Sequence, residues 1–480
     1  MGDFRGLIER LDYLNDGDPA TDTDLGVTGI WLMPIMQSPS YHGYDIVDYR
    51  AVDDEYGTME DFQALLHACH ERGIRVIVDL VINHSSDEHP WFTQAAADRD
   101  APTRDWYTWA DSDPGYRGPW GQQVWHDEVL DESGQYYYGC FYHGMPDLNV
   151  RNPELTAELN GIARFWIRDM GVDGFRLDAI KHLIEDGPVQ ENTQASIDWL
   201  ESFHAYCESL DPDHFSVGEV WSSTDQVRRY IPDAVDTAFE FDLGMSILAA
   251  INTGDASRLR ASIDNTVESF ADGRFATFLT NHDQARVMTE LGGDRDKAKA
   301  AATILLTLPG VPFIYYGEEI GIAGGKPDPN IRTPMQWTDS PRAEGFTTGQ
   351  AWRRVQRDVG AANVEDQEGR PGSLLEHYKT LIRLRNDETA MRTGDTTTHP
   401  TSHDAVLAYT RSDGSGSFLI IVNTGGEVVR DYTVDVQLPD GELIEQTGID
   451  RRLGERDADG RWRGVMLKPR ESAVLKIEYE

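Results

Sequence analysis

The sequence predicts an α/β protein, a (β/α)8 barrel interrupted by a long insertion and followed by an all-β region. Three observations predict it. As far as Arg392, short apolar runs alternate with amphipathic stretches of helical period. Continuous apolar runs are what buried parallel strands look like, and interleaved helices supply their crossovers. Between the candidate strands that would be third and fourth in a complete barrel lies a stretch, residues 85–150, too long for a barrel loop. After Arg392 the texture changes to alternating strands and turns.

The candidate strands are 29–32, 75–80, 174–177, 216–219, 237–241, 276–279 and 312–315. These are seven, one fewer than a closed barrel has. The chain opens at Met1-Gly2-Asp3-Phe4 already running into a helix over 7–14, so the first barrel strand is expected to be missing from this chain. The helix over 59–72 is signalled by Thr58 as N-cap, Asp61 three residues on and Gly73 past its end. Ser373 and Glu376 open another, with Leu374, Leu375, Tyr378, Leu381 and Ile382 on one face. The insertion holds Trp91, Trp106, Trp109, Trp120 and Trp125, five of twelve tryptophans. Most are expected to form its small core and the rest to line a cleft. Strands 405–410, 417–423 and 473–477 mark the C-terminal region.

Composition narrows the function classes. With 43 basic and 83 acidic residues the net charge is −40, a field that repels nucleic acid and anionic membranes. Charge of this size, spread evenly, suits a protein kept soluble in high salt. No 18-residue apolar run could span a membrane, and residues 1–12 lack the apolar core of a secretory signal. The compartment stays open between secretion and cytoplasm, and a monomer is expected. Cys69, Cys140 and Cys207 are far apart and read as buried thiols, not as a disulfide framework or a CxxC metal site. His67 and His70 share a helix face but have no third ligand nearby, and Gly324-Gly325-Lys326 lacks the glycine and hydroxyl a phosphate loop needs.

Four segments end candidate strands with polar groups: Asp79 to Asn83-His84, Arg176-Leu-Asp178, Gly218-Glu219-Val220 and Asn281-His282-Asp283. Singly each is weak. Together they put carboxylates, histidines and an arginine on the face of a barrel where catalytic groups lie. Glycoside hydrolysis needs one carboxylate as nucleophile and one carboxylic acid to protonate the leaving oxygen. Arg176 and Asp178 alternate onto one strand face, so the guanidinium is expected to hold Asp178 ionised. Glu219, behind an apolar strand, is expected to keep its proton and act as acid, then base. Asp283 would strengthen its contacts as oxocarbenium charge develops.

These segments resemble the ordered motifs of glycoside hydrolase family 13, the α-amylase family, and the resemblance covers essentially the whole chain. Gly310–Glu319 and Arg332-Thr-Pro-Met-Gln-Trp337 are similar to its segments around the eighth strand. The resemblance implies a barrel (1–84 and 151–392), an inserted domain B (85–150) and a C-terminal β-sandwich (393–480). It implies Asp178 as nucleophile, Glu219 as general acid/base and Asp283 as transition-state stabiliser. Tyr44, His84, Arg176 and His282 would hold the sugar at the cleavage point, and Lys181 and His182 the leaving side. Met145-Pro-Asp-Leu-Asn149 resembles the fifth motif of the group between oligo-1,6-glucosidases and neopullulanases, which contains α-amylases. Asp45 and Arg332 match residues that grip the non-reducing end in exo-acting glucosidases, and a pair between them would close the cleft into a pocket.

The implied reaction is retaining hydrolysis of α-1,4 bonds in starch and maltooligosaccharides. An exo-α-glucosidase or oligo-1,6-glucosidase and a transglycosylase are the rivals, with a non-catalytic carbohydrate-binding relative further off. Calcium is implied at Asn83, Asp147 and the carbonyl of His182, whose hard oxygen atoms suit it. A second calcium loop, ending at Asp3 in related glucosidases, is expected to be incomplete.

Overall fold

The computed structural model describes residues 2–127, 135–342, 345–347, 350–414, 416–438 and 441–478. The chain divides into two compact units, one formed by Asp3–Leu11 and Thr28–Phe239, the other by Asp12–Val27 and the chain from Glu240 onward.

The first unit carries five parallel strands in the order Gly29–Leu32, Arg75–Leu80, Gly174–Leu177, Phe215–Gly218 and Thr237–Ala238. Chain order and sheet order coincide, as in successive right-handed crossover units. The interior strands are almost wholly buried, which is why they read as unbroken apolar runs. Register sets the site: Asp79 lies opposite Arg176, and Leu177 opposite Gly218. Gly174 has no room for a side chain, because a Cβ there would lie 1.8 Å from the Phe215 carbonyl oxygen.

The helix expected over 59–72 runs Met59–Glu71, and its reciprocal cap is present: Asp61 N–H donates to Thr58 Oγ1 at 3.2 Å and Thr58 N–H to Asp61 Oδ2 at 3.1 Å. His67 pairs with Glu71 at the surface and His70 with Asp173 at 2.8 Å. The helix expected over 7–14 is instead two short ones, Phe4–Ile8 and Leu11–Leu14, the first capped by the Asp3 carboxylate. Only Phe4 and Leu11 are buried in them, so no continuous apolar stripe holds one longer helix together.

Within 85–150 the described residues form a small antiparallel sheet, with Tyr136–Tyr138 between Trp109–Ala110 and Trp125–His126. Four of its five tryptophans are packed: Trp91 stacks on Tyr49, Trp106 meets Trp91 edge-on, Trp109 lies under the Arg104 guanidinium and Trp125 is buried against Tyr138. Trp120 is 60% exposed.

The second unit holds two further parallel strands, Ala276–Thr277 and Val311–Pro312, followed by the C-terminal β region. All seven sequence-predicted strands are thus present, the last three shorter than expected, and among the described residues no eighth parallel strand appears. After Gly394 two antiparallel sheets form. One has five strands around Ser417–Asn423, the other three around Trp462–Leu467. Their apolar faces share one core containing Leu419, Ile421, Tyr432, Trp462 and Leu475. Ser373 caps the helix Leu374–Asp387 as expected. No helix among the described residues is long and apolar enough to cross a membrane.

Candidate active site

In the first unit the site is organised by one buried guanidinium. Arg176 Nη1 donates to Asp178 Oδ1 at 2.6 Å and to both oxygens of Asp79 at 2.9 Å. Its Nη2 lies 2.9 Å from Glu219 Oε2. Trp31 and Tyr44 complete the setting. The Trp31 ring lies 4.9 Å from the guanidinium carbon, and Trp31 Nε1 and the Tyr44 hydroxyl donate to Asp79 Oδ2 at 3.3 and 3.1 Å. Asp178 and Glu219 leave adjacent strand ends: Glu219 N–H donates to the Leu177 carbonyl at 3.0 Å, and Ala179 N–H to Glu219 Oε2 at 3.2 Å. Ala179 is in the left-handed region at φ +50°, a conformation uncommon for a residue with a Cβ, directly after Asp178.

Three carboxylates thus surround one guanidinium, so burial and mutual repulsion compete with a single cation. Burial pushes Asp178 well above the usual carboxylate range; Glu219 and Asp79 add to that, and Arg176 opposes it. This reverses the expectation that Arg176 would hold Asp178 low: the strand pattern showed the cation but not the desolvation or the two competing acids. Asp79 is raised to about 6, again chiefly by burial. Such a cluster takes up protons as a unit.

Asp79 was missed as a site residue by sequence reasoning. It was visible as the first acid of its strand-end motif, but nothing local showed that it faces Arg176. Around the cluster, His84 is buried and depressed to about 3 by desolvation, so its ring is neutral. His182 is depressed to about 4 for the same reason, and its Nδ1 is 2.8 Å from the Gln190 carbonyl. Lys181 Nζ is braced by Glu191 and the Trp221 carbonyl, each at 2.8 Å. Trp120 meets His182 edge-on at 5.4 Å, so the one exposed tryptophan of the insertion lies beside the expected leaving-side residues. Asp45 is buried, its Oδ1 accepting from the hydroxyls of Ser38 (2.6 Å) and Ser40.

The same unit has a setting for a cation. Asn83 Oδ1 is buried with no hydrogen-bond partner, while Asn83 Nδ2 donates to Asp147 Oδ2 at 3.2 Å. Asp147 also accepts from Cys140 N–H at 2.8 Å. Burial pushes its carboxyl well up, with Glu185 adding to the effect. An orphaned amide oxygen beside a desolvated carboxylate is a hard-oxygen donor set that fits calcium.

In the second unit, Asp283 is held from two sides. His282 Nε2 lies 3.1 Å from its Oδ2, and Arg332 Nη2 donates to its Oδ1 at 2.8 Å. Arg332 Nε donates to the His282 carbonyl at 3.0 Å, so one arginine fixes both residues.

A family model described as the alpha amylase catalytic domain matches residues 1–394. Alpha-amylase 3 of Dictyoglomus thermophilum is 35% identical over 99% of this chain and 89% of its own length. An oligo-1,6-glucosidase of Heyndrickxia coagulans is 32% identical over 100% of this chain and 95% of its own. The crystal structure of an alpha-amylase from H. orenii matches with a TM-score of 0.88 at 38% identity, covering 100% of this chain and 96% of that one. Fold and carboxylate cluster together define a carbohydrate-active enzyme of the (β/α)8 class with a C-terminal β domain. The chain belongs to the α-amylase family, glycoside hydrolase family 13, whose members here are glycoside hydrolases or transglycosylases.

Proposed function

We propose that the chain is an α-amylase that hydrolyses α-1,4 bonds of starch and maltooligosaccharides with retention of configuration. The observation that carries this reading is the fork of Arg176 between Asp178 and Glu219. Two carboxyl groups on one guanidinium suit the short separation, about 5–5.5 Å, of a retaining pair rather than the wider gap of an inverting one. In this scheme Asp178, 2.6 Å from Arg176 Nη1, is the nucleophile and Glu219 the acid.

Glu219 then gives its proton to the glycosidic oxygen as a carboxylate oxygen of Asp178 attacks the anomeric carbon and the bond to the leaving sugar breaks. In the second half Glu219, now a carboxylate, takes a proton from water. The resulting hydroxide displaces Asp178 and returns the anomeric carbon to its first configuration. Asp283, oriented by His282 and Arg332, is the transition-state stabiliser in this scheme. The braced Lys181 and exposed Trp120 support a grip on the leaving side, which a polymer cleaved internally uses more than a disaccharide does. Calcium, held by Asn83, Asp147 and the His182 carbonyl, would be structural and would tie the 85–150 segment to the strand-end loop after Leu80.

Timed chromatography of products from soluble starch and maltotetraose tests the reading. Mixed maltooligosaccharides from internal cuts, with the α-anomer formed first and no activity in Asp178→Asn, are expected. Glucose alone would make it an exo-glucosidase, and products longer than the substrate a transglycosylase.

A further inference from the structure

At the opposite end of the strand that leads to Glu219, three side chains from separate segments converge. His204 comes from the helix Gln194–Leu210, His214 from the turn after it, and Asp236 from the loop before Thr237–Ala238. One ligand atom from each lies within 4.8 Å of the others. Both histidines are buried, and Asp236 is partly accessible.

We propose that His204, His214 and Asp236 form a binding site for a divalent transition metal, zinc in the first instance, independent of the catalytic carboxylates.

The tautomers argue for it. His204 Nδ1 is 3.1 Å from the Asp233 carbonyl and His214 Nδ1 is 3.0 Å from the Asp211 carbonyl. A carbonyl accepts only from N–H, so each ring carries a proton on Nδ1 and, when neutral, offers its Nε2 lone pair. Backbone carbonyls orient metal-binding imidazoles in this way. His204 Nε2 lies 3.4 Å from Asp236 Oδ2. Tetrahedral zinc with bonds of about 2.0–2.1 Å sets its ligands about 3.3 Å apart, so this edge is already in place. Without a metal the same edge is a contact between the His204 ring and the Asp236 carboxylate, which a shared cation would replace.

The carboxylate is held for the role. Ser216 donates to Asp236 Oδ2 from both its N–H and its Oγ at 2.8 Å, and Asp236 N–H returns a bond to Ser216 Oγ at 2.9 Å. Two imidazoles and a carboxylate are a donor set for zinc, and the accessible side of Asp236 leaves the fourth position to water. Ser216 stands three residues before Glu219, about 10 Å of extended chain, so the metal would clamp three segments rather than meet substrate.

The test is metal content. Full-length protein stripped with chelator and kept in excess calcium is titrated with Zn²⁺ and with Co²⁺, then desalted and assayed by mass spectrometry. One equivalent of zinc retained per chain, a tetrahedral Co²⁺ visible spectrum and a melting temperature raised by a few degrees are expected. His214→Gln and Asp236→Asn should each weaken retention at least about 100-fold, while His67→Gln leaves it unchanged. Asp236→Asn keeps an acceptor for Ser216, so it reads the site even where a histidine variant fails to fold. No zinc retained by the wild type, or equal retention in Asp236→Asn, overturns the proposal: His204 and Asp236 would then be a simple ion pair.

Discussion

Replacing Arg332 by alanine separates two roles for this residue. Its Nη2 bond to Asp283, 2.8 Å, is charge-assisted and nearly shielded from solvent on the arginine side, and its Nε holds the His282 carbonyl at 3.0 Å. A hydrogen bond to a charged group is worth roughly 1.5–3 kcal/mol. If that energy orients Asp283 in the transition state, its loss lowers kcat/KM about 10- to 150-fold. The loss should fall on kcat, with KM nearly unchanged, because an orientation effect is felt where charge develops. It should also be the same on maltotriose and soluble starch, since both react at one pair of carboxylates. Arg332→Lys should fall between, because a lysine cannot make both bonds in the arginine's geometry. Steady-state kinetics on the two substrates decide it. A rise in KM confined to maltotriose would refute the reasoning and return Arg332 to the sugar-gripping role its sequence position suggests.

Three other outcomes are expected. Glu318, buried with the Tyr378 hydroxyl on its Oε1 at 2.7 Å, is pushed up from 4.5 to about 8 by desolvation. The folded state therefore binds the extra proton, so the contribution to stability is complete below about pH 4.5 and lost as pH rises through about 8, with an upper limit of about 5 kcal/mol. Glu318→Gln should flatten the fall in melting temperature between pH 5 and 9, and parallel profiles would contradict this. With a net charge of −40, the melting temperature should climb from about 0.05 to 1 M NaCl, and a flat curve would remove salt adaptation as the reason for the composition. Asn83→Ala should abolish the rise in melting temperature that calcium gives the wild type, and an undiminished rise would place the ion elsewhere.

The sequence by itself determined the presence of the seven parallel strands and the caps at Thr58 and Ser373, and it singled out Asp178, Glu219 and Asp283 with their flanking Arg176 and His282 as candidates. These are local properties. Apolar runs of strand length, an N-cap with its partner three residues on, and strand alternation are all set within one turn or one strand. The division of the N-terminal helix into two short ones and, among the described residues, five of the eight C-terminal strands escaped, because their periodicity is brief and half polar.

Tertiary structure decided what the polar groups do to one another. Asp79 and Arg176 are 97 residues apart in sequence, and Arg332 and Asp283 are 49 apart. Sheet register makes the first pair and the fold of the second unit the other. The rise of Asp178 depends on burial and on two acids arriving from neighbouring strands, neither of which its own strand reveals. The convergence of His204, His214 and Asp236 is of the same kind. Each is an ordinary polar residue in sequence, and only the turn after the helix Gln194–Leu210 and the parallel pairing of Phe215–Gly218 with Thr237–Ala238 bring them within reach of one ion.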